Sequence, residues 1–256
     1  MIPLPRLMVA PNGARRGKSD HPAIPVTDAE MIATARACYL AGADGIHLHI
    51  RDEAGAHLLD AGRYRALLDA LEDEVPQMYL QVTSETAGRY SGQEQRAMMR
   101  RLGASNVSVG LREMVRTPED WPEARDFYHW AQTAGVNIQH ILYSPDDVAT
   151  FIQACHAGDI PNGPYSLLFV QGTYANGAKD AVPFEAYLAP LTQAGDIAFE
   201  WMACAFGQHE TDSLVRAAHL GGKTRVGFEN SLWHRDGRLA KDNAERVAEV
   251  DAAIRA

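Results

Sequence analysis

Two histidines separated by one residue, His47 and His49, stand in the stretch Gly45-Ile46-His47-Leu48-His49-Ile50-Arg51-Asp52. Ile46, Leu48 and Ile50 alternate with them, a period of two, so both imidazoles leave the same face of a strand. On a strand wrapped by helices the apolar set faces the helices, and the imidazoles point into a barrel or crevice. Two inward nitrogen donors near a strand's C-terminal end suit a metal. They suit a hydrogen-bonded core equally well, so a third donor has to decide.

The candidate is Glu229, in Arg225-Val226-Gly227-Phe228-Glu229-Asn230. Val226 and Phe228 would share one face of a strand, and Arg225, Gly227 and Glu229 the other. A rim salt bridge is the other reading of Glu229. With both histidines it completes a set of two imidazoles and one carboxylate, leaving a coordination position open. That donor set suits catalytic zinc, and also non-haem iron or manganese.

Those residues need a scaffold, and the chain supplies a regular one. Short β-branched runs alternate with amphipathic stretches. Strands are expected at Leu7–Ala10, around His47, at Met78–Val82, Asn106–Val109, Val136–Leu142, Tyr165–Val170, Ile197–Ala203 and Thr224–Phe228. Between them, Thr27 with Glu30 forms a capping box for a helix to about Leu40, and Tyr64–Leu71 and Gln93–Arg101 are helical, the latter stopped by Gly103. Thr117-Pro118 and Ser144-Pro145 cap two further helices, the first reaching Ala134, with proline in the first turn. Pro183–Leu191, Thr211–Leu220 and Asp242–Ile254 complete the alternation. Eight repeats with short loops and no linker predict one α/β domain over 1–256, a (β/α)8 TIM barrel. In such a barrel strands two and eight supply the same interior layer, so His47, His49 and Glu229 can converge. A doubly wound open sheet is the alternative, and Pro11-Asn12-Gly13-Ala14-Arg15-Arg16-Gly17 lacks its glycine fingerprint.

Composition narrows the functional class. The chain has 256 residues, 46% hydrophobic and 22% charged, ordinary for a globular protein with a substantial core. A net charge of −9 argues against a general nucleic-acid partner. No apolar run approaches signal-peptide or membrane-span length, which predicts no membrane partner. Cys38, Cys155 and Cys204 are far apart and read as reduced thiols of a cytoplasmic protein.

Nearly end to end, the chain resembles the β-keto acid cleavage enzymes, zinc-dependent (β/α)8 barrels. The resemblance lies in Pro25-Val26-Thr27, in the run from Ala41 to Asp52, in Gln81-Val82-Thr83-Ser84, in Phe169-Val170-Gln171-Gly172 and in Arg225 to Glu229. It implies that His47, His49 and Glu229 hold Zn2+, and that a β-keto acid condenses with acetyl-CoA to give acetoacetate and a new acyl-CoA. A base would remove the proton between keto group and carboxylate. The carbanion would attack the thioester, CoA would migrate, and retro-Claisen cleavage would release acetoacetate. The resemblance further implies that Arg225 orients the base, that Thr83 hydrogen-bonds the substrate carboxylate, and that the enzyme is a homo-oligomer. Substrate contacts are expected from Asn12, Arg15, Asn106, Ser108 and Gly172.

Four positions depart from the family pattern. Asn230 stands where an aspartate usually serves as the base, and an amide cannot take up a proton. Strand five reads Asn137-Ile138-Gln139-His140-Ile141 instead of carrying inward glutamates. Arg15 and Arg16 occupy the turn where an acid can read the substrate, and Gly207-Gln208-His209-Glu210 replaces a glycine-arginine pair. Glu85 is the expected replacement base, with Glu210 and His209 next. The alternatives are a metal-dependent aldolase or hydrolase on the same ligands, and an impaired relative that binds metal and metabolite without turnover.

Overall fold

The computed structural model describes residues 2–178 and 181–256. Its chain order is β1 (Leu7–Val9), α1 (Asp28–Leu40), β2 (Gly45–Leu48), β3 (Ile50–Arg51), β4 (His57–Leu58), α2 (Ala61–Glu74), β5 (Tyr79–Thr83) and α3 (Gly92–Leu102). There follow β6 (Asn106–Gly110), α4 (Leu111–Met114), α5 (Trp121–Ala134), β7 (Asn137–Leu142), α6 (Pro145–Ala157) and β8 (Tyr165–Gln171). The last third holds α7 (Phe184–Ala194), β9 (Phe199–Ala205), α8 (Glu210–His219), β10 (Lys223–Val226) and α9 (Asn243–Arg255). Eight parallel strands close in the order β1-β10-β9-β8-β7-β6-β5-β2, with helices between them, so the fold is a (β/α)8 barrel.

Local chemistry sets the helix ends. Thr27 and Glu30 satisfy each other's backbone donors in a capping box, and Ser91 and Glu94 do the same for α3. Ser144 caps α6, whose first residue is Pro145, and Gly158 ends it in the left-handed region at φ 75°.

Two cores follow from strand alternation. The outward set, including Val9, Ile46, Leu48 and Phe169, packs beneath the helices in one large cluster. Inside the barrel, Met8, Leu168, Val170, Met202 and Cys204 form an apolar half, closed from below by Leu4. The other half of the interior is polar, with His47, Gln81, Gln139 and Arg225 all buried.

Three expectations need correction. The stretch carrying both histidines is not one strand: β2 stops at Leu48, and Ile50–Arg51 pairs antiparallel with His57–Leu58 in a separate hairpin. The eighth barrel strand ends at Val226, not Phe228. Gly227 takes φ 142°, where a Cβ would collide with the Ala10 carbonyl, so Glu229 arrives on a turn and not by strand parity. The helix expected from Thr117 opens with a 3-10 turn at Pro118–Asp120 before α5 begins at Trp121.

Candidate metal centre and the cavity above it

The C-terminal ends of β2 and β10 face each other across the seam closed by β1. His47 pairs in register with Gln81 of β5, whose side-chain oxygen lies 2.8 Å from His47 Nδ1. The Gln81 amide in turn donates to Gln139 Oε1 at 3.0 Å. This fixes the proton of His47 on Nδ1 and leaves Nε2 as a lone pair. His47 Nε2 lies 3.0 Å from His49 Nε2, and Glu229 Oε2 stands 3.8 and 3.6 Å from the two. Among the described residues, these three form the one group able to hold a metal ion.

The donors fit a metal. Burial and the Arg225 charge hold His47 well below the usual histidine range; burial, His47 and His57 do the same to His49. Both rings therefore stay neutral and offer lone pairs. Two such nitrogens at 3.0 Å meet through one shared proton or one shared cation. Glu229 Oε2 and His49 Nδ1 are buried without a hydrogen-bond partner. Donor atoms around a tetrahedral zinc stand about 3.3 Å apart, close to the spacings here.

Arg225 secures the carboxylate. Its Nη2 donates to Glu229 Oε1 at 3.0 Å and lies 3.4 Å from Cys204 Sγ. Burial opposes the Arg225 charge, but Cys204, Glu229 and Tyr143 together hold the guanidinium above its ordinary pKa. Arg225 thus braces a candidate metal ligand and makes no hydrogen bond to Asn230.

Above the three donors opens a cavity of about 490 Å³. Of the sequence candidates, His47, Thr83, Glu85, Arg15, Gly172, Arg225 and Glu229 line it. Glu85 is pushed up to about 8 by burial and then by the Glu229 and Glu113 carboxylates, against the pull of Arg15 and Arg225. A bound divalent cation would draw that value down. Glu85 Oε2 lies 3.9 Å from His49 Nδ1, and the Glu85 backbone N–H donates to Thr83 Oγ1 at 3.0 Å. Arg15 makes no hydrogen bond or ion pair among the described residues and sits 5.6 Å from the Tyr174 ring centre.

The remaining candidates lie elsewhere. Asn12 is wholly buried and donates to the His49 and Pro25 carbonyls, so it holds the ligand segment and does not face substrate. Asn106 begins β6, at the opposite barrel end, and donates to the Leu80 carbonyl. Ser108 is buried at mid-strand, its carbonyl accepting from Ser84. Asn230 is fully buried, with neither amide atom hydrogen-bonded. Glu210 is fully buried against Arg246 at 2.6 Å, and His209 is exposed beside the α8 N-terminus.

Several participants escaped sequence reasoning. Gln81 shares the inward parity of Thr83, and that parity alone would have found it. His57, pushed down to about 4 chiefly by burial, lies tilted against His49 with ring centres 5.2 Å apart and donates from Nε2 to the Glu85 carbonyl. Tyr143, Tyr174, Arg112 and Glu113 reach the cavity from its rim, where no periodic signal marks them.

Comparison with known proteins assigns the chain to a family. The model of the beta-keto acid cleavage enzymes matches residues 6–256. The chain belongs to the β-keto acid cleavage enzyme family. A 3-keto-5-aminohexanoate cleavage enzyme from Fusobacterium nucleatum is 26% identical over 244 residues, covering 93% of this chain and 86% of that one. A 3-oxoadipate:acetyl-CoA acetyltransferase from Cupriavidus necator is 25% identical over 258 residues, covering 96% and 87%. Among solved structures, ObcA in a ternary complex with a C4-CoA adduct and oxalate superposes with a TM-score of 0.69 at 14% identity. That match covers 90% of this chain and 63% of ObcA, so the β-keto acid cleavage chain spans under two thirds of ObcA. At such identity the likeness speaks for the barrel alone.

Proposed function

We propose that this family member is a zinc-dependent transferase that condenses a β-keto acid with acetyl-CoA, giving acetoacetate and a new acyl-CoA. The observation that carries the reading is the buried His47–His49–Glu229 cluster opening directly into a cavity with Glu85, Thr83 and Arg15 on its walls. Bound there, zinc would supply Lewis acidity to a keto oxygen and favour the enolate. The curated relatives named for β-keto acid cleavage and acetyl-CoA transfer support the reaction class.

Each wall residue has a task its position allows. Glu85 takes the proton between keto group and carboxylate, since Asn230 is neutral and does not line the cavity. The Thr83 hydroxyl accepts from the Glu85 backbone, which leaves its proton free for a substrate carboxylate. Arg225 holds Glu229 in place. Arg15, a cation with no hydrogen-bond or ion-pair partner among the described residues, favours a keto acid or co-substrate with an anionic group at its far end. Gly172 lets the loop after β8 fold close over the cavity. Asn12 supports from below by holding the His49 carbonyl, while Asn106 and Ser108 would act only through the strand. Among the described residues no helix is long and apolar enough to cross a membrane. The buried thiols of Cys38, Cys155 and Cys204 accord with a cytoplasmic setting, and a homo-oligomer follows the family resemblance.

The test joins metal to turnover. Metal analysis is expected to give one zinc per chain, with near-complete loss in His47→Ala and in His49→Ala. Incubation of β-keto acids with acetyl-CoA is expected to yield acetoacetate, and only from the zinc-loaded protein. Full zinc stoichiometry in either histidine variant would refute the ligand assignment. Retained zinc without acetoacetate from any keto acid favours the metabolite-binding alternative, which the neutral Asn230 already motivates.

A further inference from the structure

Because Glu229 is delivered by a turn, its aim depends on what holds that turn. The Glu229 N–H donates to the Ala10 carbonyl at 3.0 Å. One residue earlier, the Phe228 N–H donates to Asn243 Oδ1 at 2.9 Å, and the Phe228 carbonyl accepts from Arg16 Nη1 at 2.7 Å. The Gly227 N–H donates to Glu210 Oε1 at 3.3 Å. Asn243, the first residue of α9, also donates to the Pro11 carbonyl at 3.0 Å, so one side chain ties the ends of the first and last barrel strands together.

The network continues away from the site. Glu210 and Arg246 are both fully buried and paired at 2.6 Å, and Arg246 also donates to Thr211 Oγ1 and to Glu249. Glu249 in turn meets His234 Nδ1 at 3.2 Å. Asn243, Glu210, Arg246 and Arg16 are all absent from the cavity wall. A buried ion pair is weak support for stability in itself, because desolvation offsets much of its attraction. Here it presents a carboxylate oxygen to the backbone of the ligand turn.

We infer that Asn243 and Arg16 are positioning residues for the third metal ligand, acting beside the buried Glu210–Arg246 pair that holds the Gly227 N–H, so that α9 helps aim Glu229. The inference rests on the metal centre proposed above. Partners behind a metal ligand typically change metal affinity by about tenfold to a hundredfold. A turn freed at Phe228 would leave His47 and His49 in place while Glu229 sampled other directions.

The experiment uses the full-length chain, stripped with a chelator and titrated with zinc against a fluorescent competitor. Thermal melting of the metal-free forms is followed in parallel. Asn243→Ala is expected to weaken zinc by about tenfold to a hundredfold, with the circular dichroism of the fold unchanged. Asn243→Asp, which keeps an acceptor for the Phe228 N–H but loses the donor to the Pro11 carbonyl, is expected to recover part of that loss. A lower melting temperature with unchanged zinc affinity would make Asn243 merely structural and overturn the inference. Should Asn243→Ala fail to fold, the half-buried Arg16 carries the test: weaker zinc in Arg16→Ala supports the inference and unchanged zinc overturns it. Absence of zinc from the parent protein would instead sink the metal centre itself.

Discussion

At the residue scale the decisive question is which group takes the substrate proton. Among the described residues, Glu85 is the one carboxylate on the cavity wall that neither binds Arg225, as Glu229 does, nor receives hydrogen bonds from Thr86, as Glu113 does. A positioned general base is worth about 10²–10⁴-fold, so Glu85→Gln is expected to lower kcat/KM for acetoacetate formation by that order. Asn230 is fully buried, unpartnered and off the cavity wall, so Asn230→Asp in the Glu85→Gln background is expected to restore no rate. Unchanged turnover in Glu85→Gln would eliminate Glu85. The candidate metal donors were legible from the sequence by residue type and by the order of the strands, but alternation gives the direction of His47 alone, since β2 ends at Leu48 and Glu229 lies beyond β10. Glu210 looks like a candidate base in the sequence because nothing there shows that Arg246, 36 residues away, buries against it.

At the scale of elements, alternation located the strands well and their ends poorly. Hydrophobic pattern marks the part of a strand that packs under helices, whereas the C-terminal ends carry polar residues and turn. This is why the pattern carries β10 two residues past its end at Val226, and why it does not separate Ile50–Arg51 from β2 although that pair belongs to a hairpin with His57–Leu58. The helix α4 passed unnoticed because four residues hold barely one turn of periodicity. Capping boxes at Thr27 and Ser91 show the opposite case, where side chain and backbone settle the boundary locally. The loop after β8 yields an element-scale prediction. Gly172 has φ 78°, and an added Cβ would collide with the Gly177 carbonyl, which itself bridges back to Thr173. That loop sets Tyr174 beside Arg15 and Arg16 over the cavity. Gly172→Ala is expected to destabilise by more than about 1 kcal/mol and to raise KM, since the wall itself is displaced. A denaturation midpoint and KM both equal to the parent's would show that the loop tolerates the residue.

For the whole molecule, the aromatic packing between barrel and helices makes an acid-sensitive fold. His140 points outward from β7 among Tyr128, Phe151 and Tyr165, away from the candidate metal donors, with its Nδ1 unpartnered. Burial alone pushes it down to about 3 from an ordinary 6.5, so the folded protein holds it neutral. The neighbouring tyrosines are raised by burial and stay neutral through the acid range. Protonation therefore favours the unfolded chain. The stability from this histidine is complete above pH 6.5, falls as the unfolded state takes up its proton, and is fully lost below about 3. One such group adds a slope of up to about 1.4 kcal/mol per pH unit across that window. Denaturant unfolding between pH 6 and 4 is therefore expected to show a shallower loss in His140→Leu than in the parent. Comparing the two slopes cancels the contributions of His47, His49 and His57, which the substitution leaves in place. Parallel slopes would mean that His140 is protonated in the folded state and that its aromatic cage is open to water.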